Sequence, residues 1–384
     1  MNNSDYFISE NKAELKKLIE ELCRIPAPSF CEQRRAEFCK DWMESIGAKG
    51  VYIDEANNVV FPLNCEGSKT ITVFAAHTDT VFPDMQPMEY IEDDEKIYCP
   101  GVGDDTTSVA VLMMTVKFLI ENNIKPEQGA IFVLNSCEEG LGNLKGTRQL
   151  MKNYEGRITK FVTFDSIIPY INDICVGSHR YEVEVLTRGG HSFQDFGEKS
   201  AIHILAEIIS KLYKIQVPQS GNSRTTYNVG SIEGGTSVNT IAQSAKMLCE
   251  YRSDSRECLE FMSKEFISIF KASCSDEVTV KVRKIGDRPC AGDVDVLAQK
   301  ELAQTCRQIV EEVARTKVSF RSASTDCNIP LSMGIPAVCI GVYNGDGSHT
   351  REEYIEKSSL ESGLKIAIKT VLTLIGKVFD LERK

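Results

Sequence analysis

A chain of 384 residues that is 42% apolar can bury a large core, enough for two domains or one large α/β domain. With 44 basic against 55 acidic residues the net charge is −11, which opposes binding to nucleic acid or to an anionic membrane surface. The 14 cysteines are scattered, with no CxxC pair and no Cys/His cluster at zinc-site spacing, and are expected as reduced, mostly buried thiols.

The opening MNNSDYFISENK lacks the basic and apolar regions of a signal peptide, and no apolar run reaches membrane-spanning length, so a soluble cytoplasmic protein is expected. Residues 11–25, NKAELKKLIEELCRI, place Leu15, Leu18, Ile19, Leu22 and Cys23 at helical spacing, with Asn11 and Glu14 as a capping pair. Short apolar runs then recur as Ile71–Ala76, Ala130–Leu134, Phe161–Phe164 and Pro336–Val342, mostly with helix-length segments between them. Continuous apolar runs suit strands covered on both faces, which predicts an open α/β fold with a mostly parallel sheet. Between Arg180 and Val282 the pattern changes. RYEVEVLTRG, TTYNVGSIEG, AKMLCEYRSD and EVTVKVRK alternate or are partly polar, with helical patterns at 199–214 and 255–272. That predicts an inserted α+β domain, residues 179–291, within a catalytic domain made of residues 1–178 and 292–384, the second part opening with a helix at 293–315.

Polar residues cluster after the apolar runs. His77 and Asp79 close the first, Glu138 and Glu139 follow the second, Asp165 follows the third, and His349 lies seven residues beyond Val342. In an open α/β sheet, side chains at the carboxyl ends of strands meet in one crevice although they are distant in sequence. Asp104 and Asp105, in PGVGDDTTSVAVLMM, sit where a glycine-rich turn enters an apolar helix whose N-terminus favours carboxylates. Each residue alone has a plainer reading: a hydrogen-bonded structural histidine, a solvent-facing acid pair at Glu138–Glu139, a helix cap at Asp104. Their coincidence in one crevice points to two divalent metals, with His77 and Asp165 on one, Glu139 and His349 on the other, and Asp104 bridging. Alternation puts His77 and Asp79 on the same side, where Asp79 can orient the imidazole. Imidazole and carboxylate ligands without thiolate suit Zn²⁺ first, then Mn²⁺ or Co²⁺. Such a metal pair polarises a carbonyl and activates water, leaving Glu138 as general base.

HTDTV, GVGDDTTS, SCEEGLGNLKGTR, TFDS and DGSHTREEYIE, in that order, resemble the co-catalytic zinc exopeptidases and amidohydrolases, which include peptidase T, carboxypeptidase G, aminoacylase and acetylornithine deacetylase. The resemblance spans essentially the whole chain and is closest to peptidase T. It implies the same metal ligands and base, a cis peptide at Asp104–Asp105, and an inserted domain that serves as lid and homodimer surface. It also implies substrate binding by His191 of RGGHSFQDF and by Asn239 and Arg252 of EGGTSVNTIAQSAKMLCEYRS. Without it, His191 reads as a turn histidine and Arg252 as a surface ion pair. By the same resemblance, Asp165 matches a position that tends to be Asp in the family's aminopeptidases and dipeptidases and Glu in its carboxypeptidases and deacylases, so short peptides are the expected substrate; an N-acyl amino acid is the alternative. Many relatives have Lys where this chain has Thr106, a departure that bears on substrate identity. A metal-binding protein without turnover is the remaining reading, and the retention of Glu138, Asp79 and all five ligands argues against it.

Overall fold

The computed structural model describes residues 3–376, and the chain divides into two compact units, Met1–Ile174 with Asp293–Lys384, and Cys175–Gly292. The first is built on an eight-stranded sheet in the order Tyr52–Ile53, Val59–Leu63, Gly129–Asn135, Ile71–His77, Ile158–Thr163, Ala337–Ile340, Tyr170–Cys175, Ser319–Ala323. The inner strands Gly129–Asn135, Ile71–His77, Ile158–Thr163 and Ala337–Ile340 run parallel, while Val59–Leu63 and Tyr170–Cys175 flank them antiparallel. Every residue of Ile71–His77 and of Gly129–Asn135 is buried, as continuous apolar runs require of a sheet covered on both faces. In register, His77 lies opposite Asn135 and Ala75 opposite Thr163, so the parallel strands end level and their following loops open on one edge.

The helices Asn3–Cys23, Ser108–Glu121, Val296–Ala314 and Leu360–Leu374 pack on one another, and Ser108–Glu121 also lies against the strand Ile71–His77. The first of them starts well before the predicted cap. Phe7 and Ile8 are buried in the core and extend the apolar stripe, so residue 11 sits in mid-helix. There Asn11 Nδ2 donates to the Phe7 carbonyl (2.8 Å), and Lys117 Nζ donates to Asn11 Oδ1 (2.9 Å) and to Glu14. The polar pair that looked like a cap is a socket for a lysine from the helix Ser108–Glu121. No helix among the described residues is long and apolar enough to cross a membrane.

The second unit is a four-stranded antiparallel sheet, ordered Thr225–Gly234, Ser244–Ser253, Gly177–Leu186, Thr279–Arg288. Alternate residues Tyr181, Val183, Val185, Ala245, Met247, Cys249 and Tyr251 are buried against Leu205, Ile208 and Leu212 of helix Ala201–Leu212 and Met262, Phe266 and Phe270 of helix Arg256–Ala272. Period-two burial on one face and solvent on the other is what the partly polar strands require. A separate two-stranded ribbon pairs Gly190–His191 with Thr240–Ile241. All 14 cysteines are free thiols.

Candidate metal centre

The strand Ile71–His77 delivers His77 to the open edge of the large sheet, and the ring is buried. Its Nε2 stands 3.0 Å from Asp104 Oδ1 and 3.9 Å from Asp165 Oδ1. From the far side, His349 Nε2 lies 3.1 Å from Asp104 Oδ2 and 3.1 Å from Glu139 Oε1. The two oxygens of one carboxylate thus serve two different imidazoles, with Asp165 beside one and Glu139 beside the other. Donor atoms of His77, Asp104 and Glu139 all lie within 4.8 Å of one another. Atoms bonded at about 2.0–2.2 Å to one tetrahedral ion stand roughly 3–4 Å apart, so the spacing and the nitrogen–oxygen donor set fit a pair of borderline divalent cations bridged by Asp104.

Loop geometry explains why these residues meet. The peptide Asp104–Asp105 is cis, and both residues have non-helical φ/ψ ahead of the helix Ser108–Glu121. Asp105, the other half of the pair, turns inward, where its Oδ2 accepts from the His77 main-chain N–H (2.9 Å). Glu353, which the sequence reading passed over, holds the turn from outside. Its carboxylate accepts the N–H groups of Gly101 (2.5 Å), Gly103 (2.9 Å) and Asp104 (2.8 Å). Gly103 is required for this approach, since a Cβ there would stand 2.9 Å from Glu353 Oε1 and 2.7 Å from the Tyr343 ring. Buried Arg35 ties two loops of the site together, donating to the Thr78 carbonyl (2.9 Å) and to Thr106 Oγ1 (3.3 Å).

Asp79 has partners besides the imidazole. His77 Nδ1 lies nearer the Asp79 carbonyl (3.0 Å) than its carboxylate (3.5 Å). The carboxylate also accepts the main-chain N–H groups of Glu138 and Glu139, each at 2.9 Å, and the Ser29 hydroxyl at 2.6 Å. Asp79 therefore fixes the turn that carries both glutamates. Glu138 is buried within this turn. Near it lies Asp326, also missed in the sequence, which accepts from Asn135 Nδ2 (2.7 Å) and Thr147 Oγ1 and which burial and the charge of Glu138 push up to about 6. Cys137 is packed rather than reactive: burial and the neighbouring Glu32 push its thiol up to about 12.

Without metal, the centre holds protons. Hydrogen bonds to Asp104 and Glu139 push His349 up to about 10, and burial together with the Asp104 charge pushes Glu139 up to about 7. Burial also raises Asp165 well above the usual carboxylate range. Burial works against ionised Asp104, yet His349 and His77 hold it below that range. These protons must leave before their owners can ligate. Cation affinity is therefore expected to fall as pH drops from 8 to 6, and at pH 8 saturation should release about one proton or more per chain, from His349 and from His77, which against the effect of burial its carboxylate neighbours also raise well above the usual imidazole range. Calorimetric titration with Zn²⁺ in buffers of different ionisation enthalpy measures this; zero release would contradict the assignment of His349.

On the second unit, the ribbon brings His191 and Asn239 together, because the Ser192 N–H donates to the Asn239 carbonyl (3.0 Å). Both are exposed; His191 Nδ1 accepts from the N–H groups of Phe193 (3.3 Å) and Gln194 (3.4 Å). Arg252 is not part of this ribbon. It lies in the strand Ser244–Ser253 and grips Glu250 two residues earlier through Nε (2.7 Å) and Nη2 (3.1 Å).

Comparison with known proteins finds a family and several similar structures. The sequence profile of peptidase family M20/M25/M40 matches residues 73–373. A succinyl-diaminopimelate desuccinylase from Corynebacterium glutamicum is 23% identical over 342 residues, covering 88% of this chain and 90% of that one. Among solved structures, a tripeptidase from Staphylococcus aureus superposes with a TM-score of 0.74 at 22% identity, over 95% of this chain and 99% of that one. Aminopeptidase PepT from Bacillus cereus gives 0.72 at 20% identity, over 94% and 98%.

Proposed function

The chain belongs to peptidase family M20/M25/M40, and from that premise we propose that it is a dinuclear zinc exopeptidase acting on short peptides, an aminopeptidase or tripeptidase of the peptidase T type. The observation that supports a two-cation centre is the division of Asp104 between His77 and His349. His77, Asp165 and Asp104 would hold one cation, and Glu139, His349 and Asp104 the other. Bound there, the cations supply Lewis-acid polarisation of the scissile carbonyl and a more acidic water. Glu138 takes the proton from the attacking water and returns it to the leaving amine. Asp79 keeps Glu138 in place for both transfers through the 2.9 Å hydrogen bond from its main-chain N–H.

Asp165 and the structural likeness to a tripeptidase and to aminopeptidase PepT favour peptide substrates. The match to a desuccinylase favours the second reading, hydrolysis of an N-acyl amino acid. A panel of di- and tripeptides with and without N-acetylation separates the two. Cleavage of the free peptides that disappears on acetylation supports the aminopeptidase; cleavage of acylated compounds alone moves the enzyme to the deacylases. In this reading His191, Asn239 and Arg252 contact substrate, and His191→Ala lowers kcat/KM on the cleaved peptide. The free thiols suit a reducing cytoplasm, and the chain acts there as a homodimer through its inserted unit, which sedimentation would report as twice the chain mass.

A further inference from the structure

Two large apolar side chains stand in solvent beside the turn that carries Glu138 and Glu139: Phe30 is 57% exposed and Leu141 is 52% exposed. Phe30 also has a φ of 73°, a left-handed backbone that a bulky residue rarely adopts. Two sets of hydrogen bonds hold it there. The Phe30 N–H donates to Glu32 Oε1 (3.0 Å), and the same oxygen accepts the N–H of Cys137 (2.9 Å), the residue before Glu138. Glu32 is fully buried, so a single internal carboxylate oxygen fastens the 28–32 loop to the catalytic turn. One residue earlier, Ser29 Oγ donates to Asp79 Oδ2 (2.6 Å) and to the Glu139 carbonyl (3.2 Å). That carbonyl also accepts the Gly142 N–H (2.7 Å). Phe30 follows Ser29 and Leu141 precedes Gly142, so each apolar side chain is next in sequence to a group bound to the main-chain oxygen of a proposed metal ligand.

Core packing alone selects neither feature. An exposed aromatic ring buries little apolar area, and glycine would occupy the left-handed position without a Cβ penalty. Non-glycine residues held in this region cluster at ligand sites. We propose that Phe30 and Leu141 form an apolar wall that receives a substrate side chain flanking the scissile bond, so that the enzyme selects peptides with a bulky aliphatic or aromatic residue there. This rests on the peptidase reading above and goes further by naming the substrate class.

The test uses the full chain loaded with Zn²⁺ and three tripeptides, Leu-Gly-Gly, Gly-Leu-Gly and Gly-Gly-Gly. For the wild type, kcat/KM on the better leucyl peptide is expected to exceed that on Gly-Gly-Gly by about tenfold or more, the usual scale for filling an apolar pocket. Phe30→Gly fits the existing backbone, so its unfolding midpoint should not fall. It should lose about tenfold on the leucyl peptide and little on Gly-Gly-Gly, while Phe30→Leu keeps the preference. A Phe30→Gly enzyme with unchanged midpoint and an unchanged leucyl-to-glycyl ratio overturns the wall. Failure of the zinc-loaded wild type to cleave any of the three overturns the peptidase reading and this inference with it.

Discussion

Glu138→Gln is expected to lower kcat by about 10²–10⁴-fold while the protein still takes up two divalent cations per chain. Glutamine keeps the shape of the side chain and leaves the main-chain N–H free to donate to Asp79 Oδ1, so the turn should persist. What it cannot do is accept and return a proton. The loss should therefore fall on kcat with little change in KM, the signature of an interaction made in the transition state. Neighbouring Asp326 does not substitute for the base, because its carboxylate is fully buried and already accepts from Asn135 and Thr147. Steady-state kinetics with metal analysis on the same sample provides the check; a variant retaining more than a tenth of the wild-type kcat would remove Glu138 from the mechanism.

Asp104→Ala is expected to have a comparable effect on turnover by another route. One oxygen of Asp104 faces His77 and the other faces His349. Removing it takes a shared ligand from both positions and leaves the two imidazoles without their common partner. Bound cation should drop from two per chain to one or none, and activity should fall by about 10³-fold or more, since one lost shared ligand weakens both Lewis-acid positions. The fold should survive, because Glu353 holds the loop through the N–H groups of Gly101 and Gly103 as well as that of residue 104. Metal content by mass spectrometry, with circular dichroism as the control for folding, reads the result. Two tightly held cations in a folded Asp104→Ala protein would contradict the bridging role.

The inner sheet was legible because its strands carry runs of buried apolar residues, and two of those runs end directly before a residue able to bind metal. His77 and Asp165 could be placed from that pattern alone. The outer strands could not be found the same way. Ser319–Ala323 is largely exposed and Tyr170–Cys175 only partly buried, so neither carries a continuous apolar signal. Glu353 and Glu32 escaped notice for a different reason. Their partners are main-chain N–H groups, 249 to 252 residues away for Glu353 and 105 residues away for the Glu32–Cys137 pair, and amides leave no side-chain mark in a sequence. The ion pair of Arg252 was also readable. In a strand, residues two apart share a face, and Glu250 was there to be paired. At Asp79 the direction of the side chain followed from alternation, but its partners did not, because they are the N–H groups of a turn formed only when the sheet assembles.

We propose that a cation pair held by His77, Asp104, Glu139, Asp165 and His349 makes this chain a peptidase. The most direct test is to strip the protein with a chelator, add Zn²⁺ in measured steps, and follow hydrolysis of an unmodified tripeptide at each step. The structure predicts no turnover in the stripped protein and a rate that rises until two equivalents are bound. Full turnover without metal, or saturation at two equivalents with no peptide or acylated substrate cleaved, would contradict it.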